Sequence, residues 1–591
     1  MSRVKVCVAA LALAAVVPAG ARAADEPWTL KSAAGRLAFH PEISHALGIQ
    51  VGANAPADKH GRTVTTFEAS GRLELRAAGS RFKDIGSGEL RLSSTGVLRL
   101  GSTDVPLDGI TLQRGLEERT LSLVANDGRI LFWADHMHFL VDRDRGQIRL
   151  FNLDLRLAPE AARALGDERY ADMSVAVMEL AGSVTIPAFQ DEPDGACTNP
   201  NWGLPDNDAS MINVDEVEQV ASEPATGRIA VAPSSTVGNV GATDVPWYEK
   251  FSGNFPPYNN DQHPFLVWNM YRLVNGVMEQ IGISPLKHAF LTINFNCACS
   301  EGHVLWVGCQ DTYAVLNNDS VFDITPRNEV TAFSGVWKRC GSIFDPDCNG
   351  VEDSPPPRNG PMDRRMAVAT SDLVVPGAVY YMDSWYIVRD DTNIFNQGWR
   401  TITPHVVGNT WLFTPLGNMN IGTVLDQWVN PGNPGPNAQS VPIVTSLGHL
   451  RLVMKAFDLG GGQWRYEYGL QNYDFDPRIK SFSVPLPPGV TVTNPGFHDP
   501  DQDAGNNWTA TIGSGAITWT APTDAAAQDY DSLFNFRFTV NASPTAAGGT
   551  VVKMKVQEAK IWTLSEAIVG PGTPTASRSS VPRASAGSPR R

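Results

Sequence analysis

Phe151-Asn152-Leu153-Asp154-Leu155-Arg156-Leu157 puts an apolar side chain at every second position and a polar one between. A period of two marks a half-buried strand, because successive side chains leave the backbone on opposite faces. The same alternation recurs upstream as Leu73 and Leu75, Leu90 and Leu92, Leu98 and Leu100, and Leu121 and Leu123, with Gly, Ser, Asp and Asn marking turns between the runs. Residues 24–187 therefore read as an antiparallel β domain, either a sandwich or a solenoid-like sheet. A partial internal repeat lies within it. Leu37-Ala38-Phe39-His40-Pro41-Glu42-Ile43-Ser44-His45-Ala46-Leu47-Gly48 overlays Leu155-Arg156-Leu157-Ala158-Pro159-Glu160-Ala161-Ala162-Arg163-Ala164-Leu165-Gly166 as a strand followed by a short helix. The proline suits a first helical turn and the glycine a helix end. Ala158 and Arg163 replace His40 and His45, so the unit needs no imidazole there.

Alternation returns over residues 441–562. Trp464, Tyr466, Tyr468 and Leu470 share a face, as do Phe482, Val484 and Leu486, and Phe534, Phe536, Phe538 and Val540. About seven such strands, each with one apolar face, predict an immunoglobulin-like β-sandwich. Residues 188–245 are rich in Asp, Pro, Asn, Ser and Gly and read as a loop-rich connector with one strand near Ile229 to Val231. Residues 246–440 read as a central, loop-rich, disulfide-bonded β domain, and 563–591 as a disordered basic tail containing Arg578, Arg583, Arg590 and Arg591. The fold class is mainly β and multi-domain.

The first 23 residues read as a signal peptide. Arg3 and Lys5 precede an apolar run from Val6 to Val17, Pro18 breaks it, and Ala21-Arg22-Ala23 offers a cleavage site. The run is too short to cross a bilayer and no later one approaches the required ~20 residues. A secreted or periplasmic bacterial protein is expected, with no transmembrane segment after processing. The formal charge of −15 becomes more negative once Arg3, Lys5 and Arg22 are removed, which argues against a nucleic-acid partner. Of seven cysteines, Cys7 falls in the leader. Cys197, Cys297, Cys299, Cys309, Cys340 and Cys348 remain, and in an oxidising compartment disulfides are the default reading.

Several constellations bear chemistry. Asp345, Asp347, Asn349, Gly350 and Asp353 follow the spacing of a calcium loop, with Pro356 where a bidentate Glu is usual. The alternative is an Asx-turn closed by a Cys340–Cys348 disulfide. Asp499, Asp501 and Asp503 with Gly505 form a second, weaker oxygen cluster. Cys297, Cys299 and Cys309 near His303 suit either a thiolate metal site or two parallel disulfides, the second involving Cys197. His136 and His138 share one face of an apolar strand, as metal-ligand pairs on sheets do. Lys287, His288, Asp311, Tyr313, Arg327 and Glu329 are close enough in sequence to converge as an acid–base set, although salt bridges explain them equally. No Gly-x-Ser-x-Gly, His-Glu-x-x-His or phosphate-loop motif occurs.

The stretch His263-Pro264-Phe265, Asn269-Met270-Tyr271-Arg272, Glu279-Gln280-Ile281-Gly282, Lys287-His288, Cys297-x-Cys299, Gly308-Cys309-x-Asp311-x-Tyr313 and Pro326-Arg327-Asn328-Glu329-Val330 resembles a family of secreted bacterial proteins of uncharacterised function. The resemblance covers about the central third of the chain and brings no catalytic residue with it. Two functions are expected from the sequence. The first is a binding or surface-associated protein for an extracellular ligand, glycan or protein surface, stiffened by disulfides and by calcium. The alternative is an extracellular hydrolase or metal-dependent enzyme acting through the central acid–base set.

Overall fold

The computed structural model describes residues 28–574 apart from short stretches, the longest being 186–196, 254–262 and 557–562. The leader expected at 1–23, residues 575–591 of the expected tail, His40, His45 and His136 lie outside the described residues. The chain is almost wholly β, and among the described residues no helix is long and apolar enough to cross a membrane.

The N-terminal alternation builds a closed barrel. Gln147–Leu157, Ser174–Thr185, Trp28–Phe39, Thr63–Ala78, Arg81–Ser93, Thr111–Arg114, Leu121–Val124 and Ile130–Asp135 pair antiparallel in that order. The last of them then pairs back onto the first, Leu155 opposite Ala134 and Leu157 opposite Phe132. His138–Asp142 adds to the free half of Gln147–Leu157. Register shifts at Leu30/Ser32, Leu73/Leu75 and Leu150/Leu153 bend the long strands so that the sheet curls onto itself. Leu37, Leu73, Leu90, Leu112, Leu123, Phe132 and Leu155 are fully buried in its core. The second copy of the repeat is a strand followed by the helix Pro159–Ala164, whose Ala161 and Ala162 pack on that core, and it ends at Gly166 with φ +101°. In the first copy Ser44 and Leu47 are helical and Gly48 has φ +74°.

The segment 188–245 is more than a connector. Ala209–Glu223 and Arg228–Asn239 are long paired strands inside an eleven-stranded central sheet. That sheet continues through Thr410–Ile421, Gly398–Val407, Val379–Ile387 and Phe265–Val274. Arg228–Asn239 is buried along almost its whole length, on both faces, and it carries Ser234, Ser235, Thr236 and Asn239 inward. The expected strand near Ile229 to Val231 is its first part; beyond Ala232 the buried Pro, Ser and Thr residues give neither alternation nor an apolar run, so that stretch imitates a loop.

The C-terminal region is a sandwich of two five-stranded sheets. Tyr466, Tyr468, Phe536 and Phe538 of one face Phe482, Val484, Ile517 and Trp519 of the other, all fully buried, with the Phe482 and Phe536 rings stacked 4.4 Å apart. The expected tail begins with structure. Thr563–Ile568 is the edge strand of the second sheet, paired with Thr550–Val556, and Ile568 is buried at its end. Backbone pairing to a neighbouring strand, which composition does not report, orders it.

Within the barrel wall the backbone is closely approached at Gly35. A Cβ there would stand 2.3 Å from the Phe67 ring and 2.6 Å from the Glu179 carbonyl oxygen. Gly35→Ala is expected to destabilise the protein by roughly 1–3 kcal/mol, the usual cost of overpacking. A urea midpoint equal to that of the parent would contradict this.

Candidate functional site

The six side chains proposed from sequence as an acid–base set separate into two structural assemblies. Lys287, His288, Asp311 and Tyr313 are each at most 1% exposed. Tyr313 donates its hydroxyl to the Leu291 carbonyl at 2.8 Å and accepts from the Phe290 amide at 2.9 Å and the Trp247 indole at 3.0 Å, so its oxygen is saturated. Asp311 accepts the Ile293 amide at 2.8 Å, and burial pushes its carboxyl up to about 7. The Lys287 ammonium lies over the rings of Phe290 and Tyr313, donates to the His288 carbonyl at 2.8 Å and faces Asp323 at 3.6 Å. Burial lowers it to about 8, opposed by Asp323. Lys250 completes the group, 3.4 Å from Asp323 and 2.9 Å from Glu352. His288 Nδ1 meets His263 Nε2 at 2.8 Å beneath Trp337 and Phe344. These groups are enclosed, and a base must reach its substrate's proton directly or through one water. Their arrangement is that of a polar core.

Arg327 and Glu329 stand elsewhere. Glu329 accepts the Ile343 amide at 2.9 Å and the Thr325 hydroxyl, tying down the loop around Trp337. Arg327 joins two domains. Its guanidinium donates to the Ser284 carbonyl at 2.6 Å and to Asn269 Oδ1 at 3.0 Å in the central domain, and to the Tyr530 carbonyl and Asp531 Oδ2, both at 3.3 Å, in the sandwich. Asn269 Nδ2 reaches Asp531 Oδ2 at 2.7 Å, and Gln280 accepts the Leu533 amide at 2.6 Å while donating to the Asp531 carbonyl at 3.3 Å. The quoted Asn-Met-Tyr-Arg, Glu-Gln-Ile-Gly and Pro-Arg-Asn-Glu segments thus converge on one residue of another domain.

The cysteines pair as Cys197–Cys299, Cys297–Cys309 and Cys340–Cys348. Among the described residues the one group of three metal-capable atoms lying within 4.8 Å of one another is Cys297, Cys299 and Cys309, all disulfide sulfurs. In the 345–353 loop, Asp345 accepts the Gly350 amide across the loop at 3.2 Å, while Asp347 accepts the Asn349 amide at 3.2 Å and Asn349 the Val351 amide at 2.7 Å as two successive Asx-turns, and Cys340–Cys348 closes the loop. The Asp353 amide donates to the Phe344 carbonyl. Asp503 and Asp501 likewise cap their own loop, accepting from Gly505 and from Asp503. Asp499 is buried, and that burial pushes its carboxyl up to about 7. His138 opens the strand His138–Asp142.

One feature has no counterpart in any motif. A cleft of about 520 Å³ opens between the tip of the Val330–Trp337 hairpin, the end of the strand Val379–Ile387 with the turn after it, and His449 of the sandwich. Phe333, Ser334, Arg389, Asp391, Asn396 and His449 line it. Its volume falls in the range of small-molecule sites, and a seam between domains is a common location for them. Three distant segments contribute, so spacing along the chain carries no sign of it. Phe333 is 41% exposed at this cleft, and His449 directs Nδ1 to both oxygens of the fully buried Asp474, at 3.1 and 3.2 Å. No protein-family model matches the chain, and neither does any curated protein.

Two outcomes follow from this geometry. Arg327→Met leaves Asp531 buried without its cation, and breaking such a pair costs roughly 3–5 kcal/mol. Calorimetry is expected to show the sandwich melting in a separate, earlier transition, and a single unshifted transition would contradict the assignment. For the histidines, burial lowers His263 from 6.5 to about 3 and holds His288 well below 6.5. Between those values the unfolded chain binds more protons than the folded one, so stability falls as pH drops below 6.5. In a His263→Gln, His288→Gln variant the acid limb of a stability–pH curve is expected to be shallower, and an unchanged slope would refute the link.

Proposed function

We propose that this chain is an exported bacterial binding protein, released from its leader near Ala23 and held rigid by three disulfides, whose ligand occupies the cleft between the central domain and the sandwich. The observation that carries this reading is the cleft itself, which brings exposed aromatic and polar side chains together at a seam locked by Arg327 and Asp531. Export is supported by the leader pattern and by the pairing of all six remaining cysteines, since such bonds persist in oxidising compartments. The resemblance of the central segment to secreted bacterial proteins agrees with it. An enzyme working through Lys287, His288, Asp311 and Tyr313 is disfavoured by their enclosure.

Expression with the leader in a Gram-negative host is expected to give a periplasmic or secreted product that begins at Ala24 and has no free thiol. Fluorine NMR with a fragment library is expected to yield hits that Ser334→Trp, which fills the cleft from an exposed position, abolishes. A cytosolic, unprocessed, thiol-bearing product would refute export. Hits indifferent to Ser334→Trp would refute the cleft.

A further inference from the structure

Two buried carboxyls meet where the central domain docks on the sandwich. Asp383 lies on the strand Val379–Ile387 and Asp531 just before the strand Ser532–Val540. One amide bridges them, Asn269 Nδ2 donating to Asp383 Oδ1 at 3.1 Å and to Asp531 Oδ2 at 2.7 Å. Asp383 also takes the Asn269 backbone amide at 2.9 Å. Asp531 Oδ1 meets no hydrogen-bond partner among the described residues. The cation beside the pair is Arg327, and its donors are divided. Nη1 is shared among Asp531 Oδ2 and the carbonyls of Tyr530 and Asp531, each at 3.3 Å, while Nε and Nη2 turn to Ser284 and Asn269. A carboxylate out of water needs both a counter-charge and hydrogen bonds. One divided guanidinium meets that need for one anion, so the second carboxyl keeps its proton while the domains are docked.

We infer that the Asp383–Asp531 pair is a proton-operated latch between the two domains, closed while the pair holds one proton and loosened when both carboxyls ionise. Separating the domains returns both groups to water, where an aspartate titrates near 3.8. In the docked state burial holds both above that value, helped at Asp383 by the charge of Asp531 and opposed at Asp531 by Arg327. Docking strength from this source is thus complete below 3.8 and is lost as pH rises through the raised range. The other ionisable groups facing the seam are Tyr271, Tyr473, Tyr530 and Asp529, with His498 behind Gln280. Burial holds the three phenols above 10, so they stay neutral through the test range. Asp529 and His498 are common to parent and variants, so the difference between them isolates the pair.

The test is hydrogen exchange by mass spectrometry on the full processed chain between pH 5.5 and 9, corrected for intrinsic rates. It follows the segment containing Leu533, whose amide is held by Gln280 across the seam. In the parent the opening constant of this segment is expected to rise with pH, by at most about tenfold per pH unit for one proton. Asp383→Asn keeps a side-chain acceptor for Asn269 but cannot ionise, and its opening constant is expected to change less than twofold over the whole range. Asp531→Asn is expected to flatten the profile as well, from a higher baseline because Arg327 loses its anion. A parent profile that is flat, or a slope that survives in both variants, overturns the latch.

Discussion

The guanidinium of Arg327, enclosed between the central sheet and the C-terminal sandwich, is the interaction on which the arrangement of these two domains depends. A buried cation is tolerated where its hydrogen bonds are met and an anion lies near. Here the central domain supplies Ser284 and Asn269, and the sandwich supplies Asp531 and the Tyr530 carbonyl. Neither domain satisfies it alone. Asp383 lies on the same seam, accepting the Asn269 amide at 2.9 Å, and its carboxyl is pushed well above the usual range by burial and by the nearby Asp531. The seam therefore holds one cation and a pair of carboxyls competing for ionisation, a combination that discriminates strongly against any other docking of the two domains.

That rigidity is what gives the cleft a definite shape. Its walls belong to different domains, the hairpin tip and the Arg389–Asp391 turn on one side and His449 on the other. Glu329, two residues from Arg327, anchors the same loop through Ile343 and Thr325. The hairpin that carries Phe333 is thus tied at its base to the polar core and, through Arg327, to the sandwich.

Alternation along the strands made the N-terminal and C-terminal domains readable, because each has one wet face and one dry face. Leu155 and Phe536 fall where period-two reasoning places them. For the N-terminal domain it pointed to a sandwich or a solenoid-like sheet where the chain forms a closed barrel, because these share the pattern and differ in bulges such as Leu150/Leu153 that only pairing reveals. Arg228–Asn239 was read only in its apolar start near Ile229 to Val231, because the rest is buried on both sides with inward Ser and Thr residues. The central residues, read from sequence as an acid–base set or as salt bridges, are held mainly by burial and local hydrogen bonds. His288 and Asp311 serve a buried polar network, and Arg327 a domain contact, whereas Asn396 and Phe333 gain their interest only when three segments meet.

The barrel has a further consequence for assembly. Its first strand, Trp28–Phe39, lies between Ser174–Thr185 and Thr63–Ala78, with Thr29 opposite Thr185. Ribosomes deliver the chain from its amino end, so this strand emerges long before one of its two neighbours. Until the ring is completed its hydrogen-bonding edge is open to any passing strand, and non-local closure of this kind is slow. Chaperoning during synthesis therefore matters for the barrel more than for an open sheet.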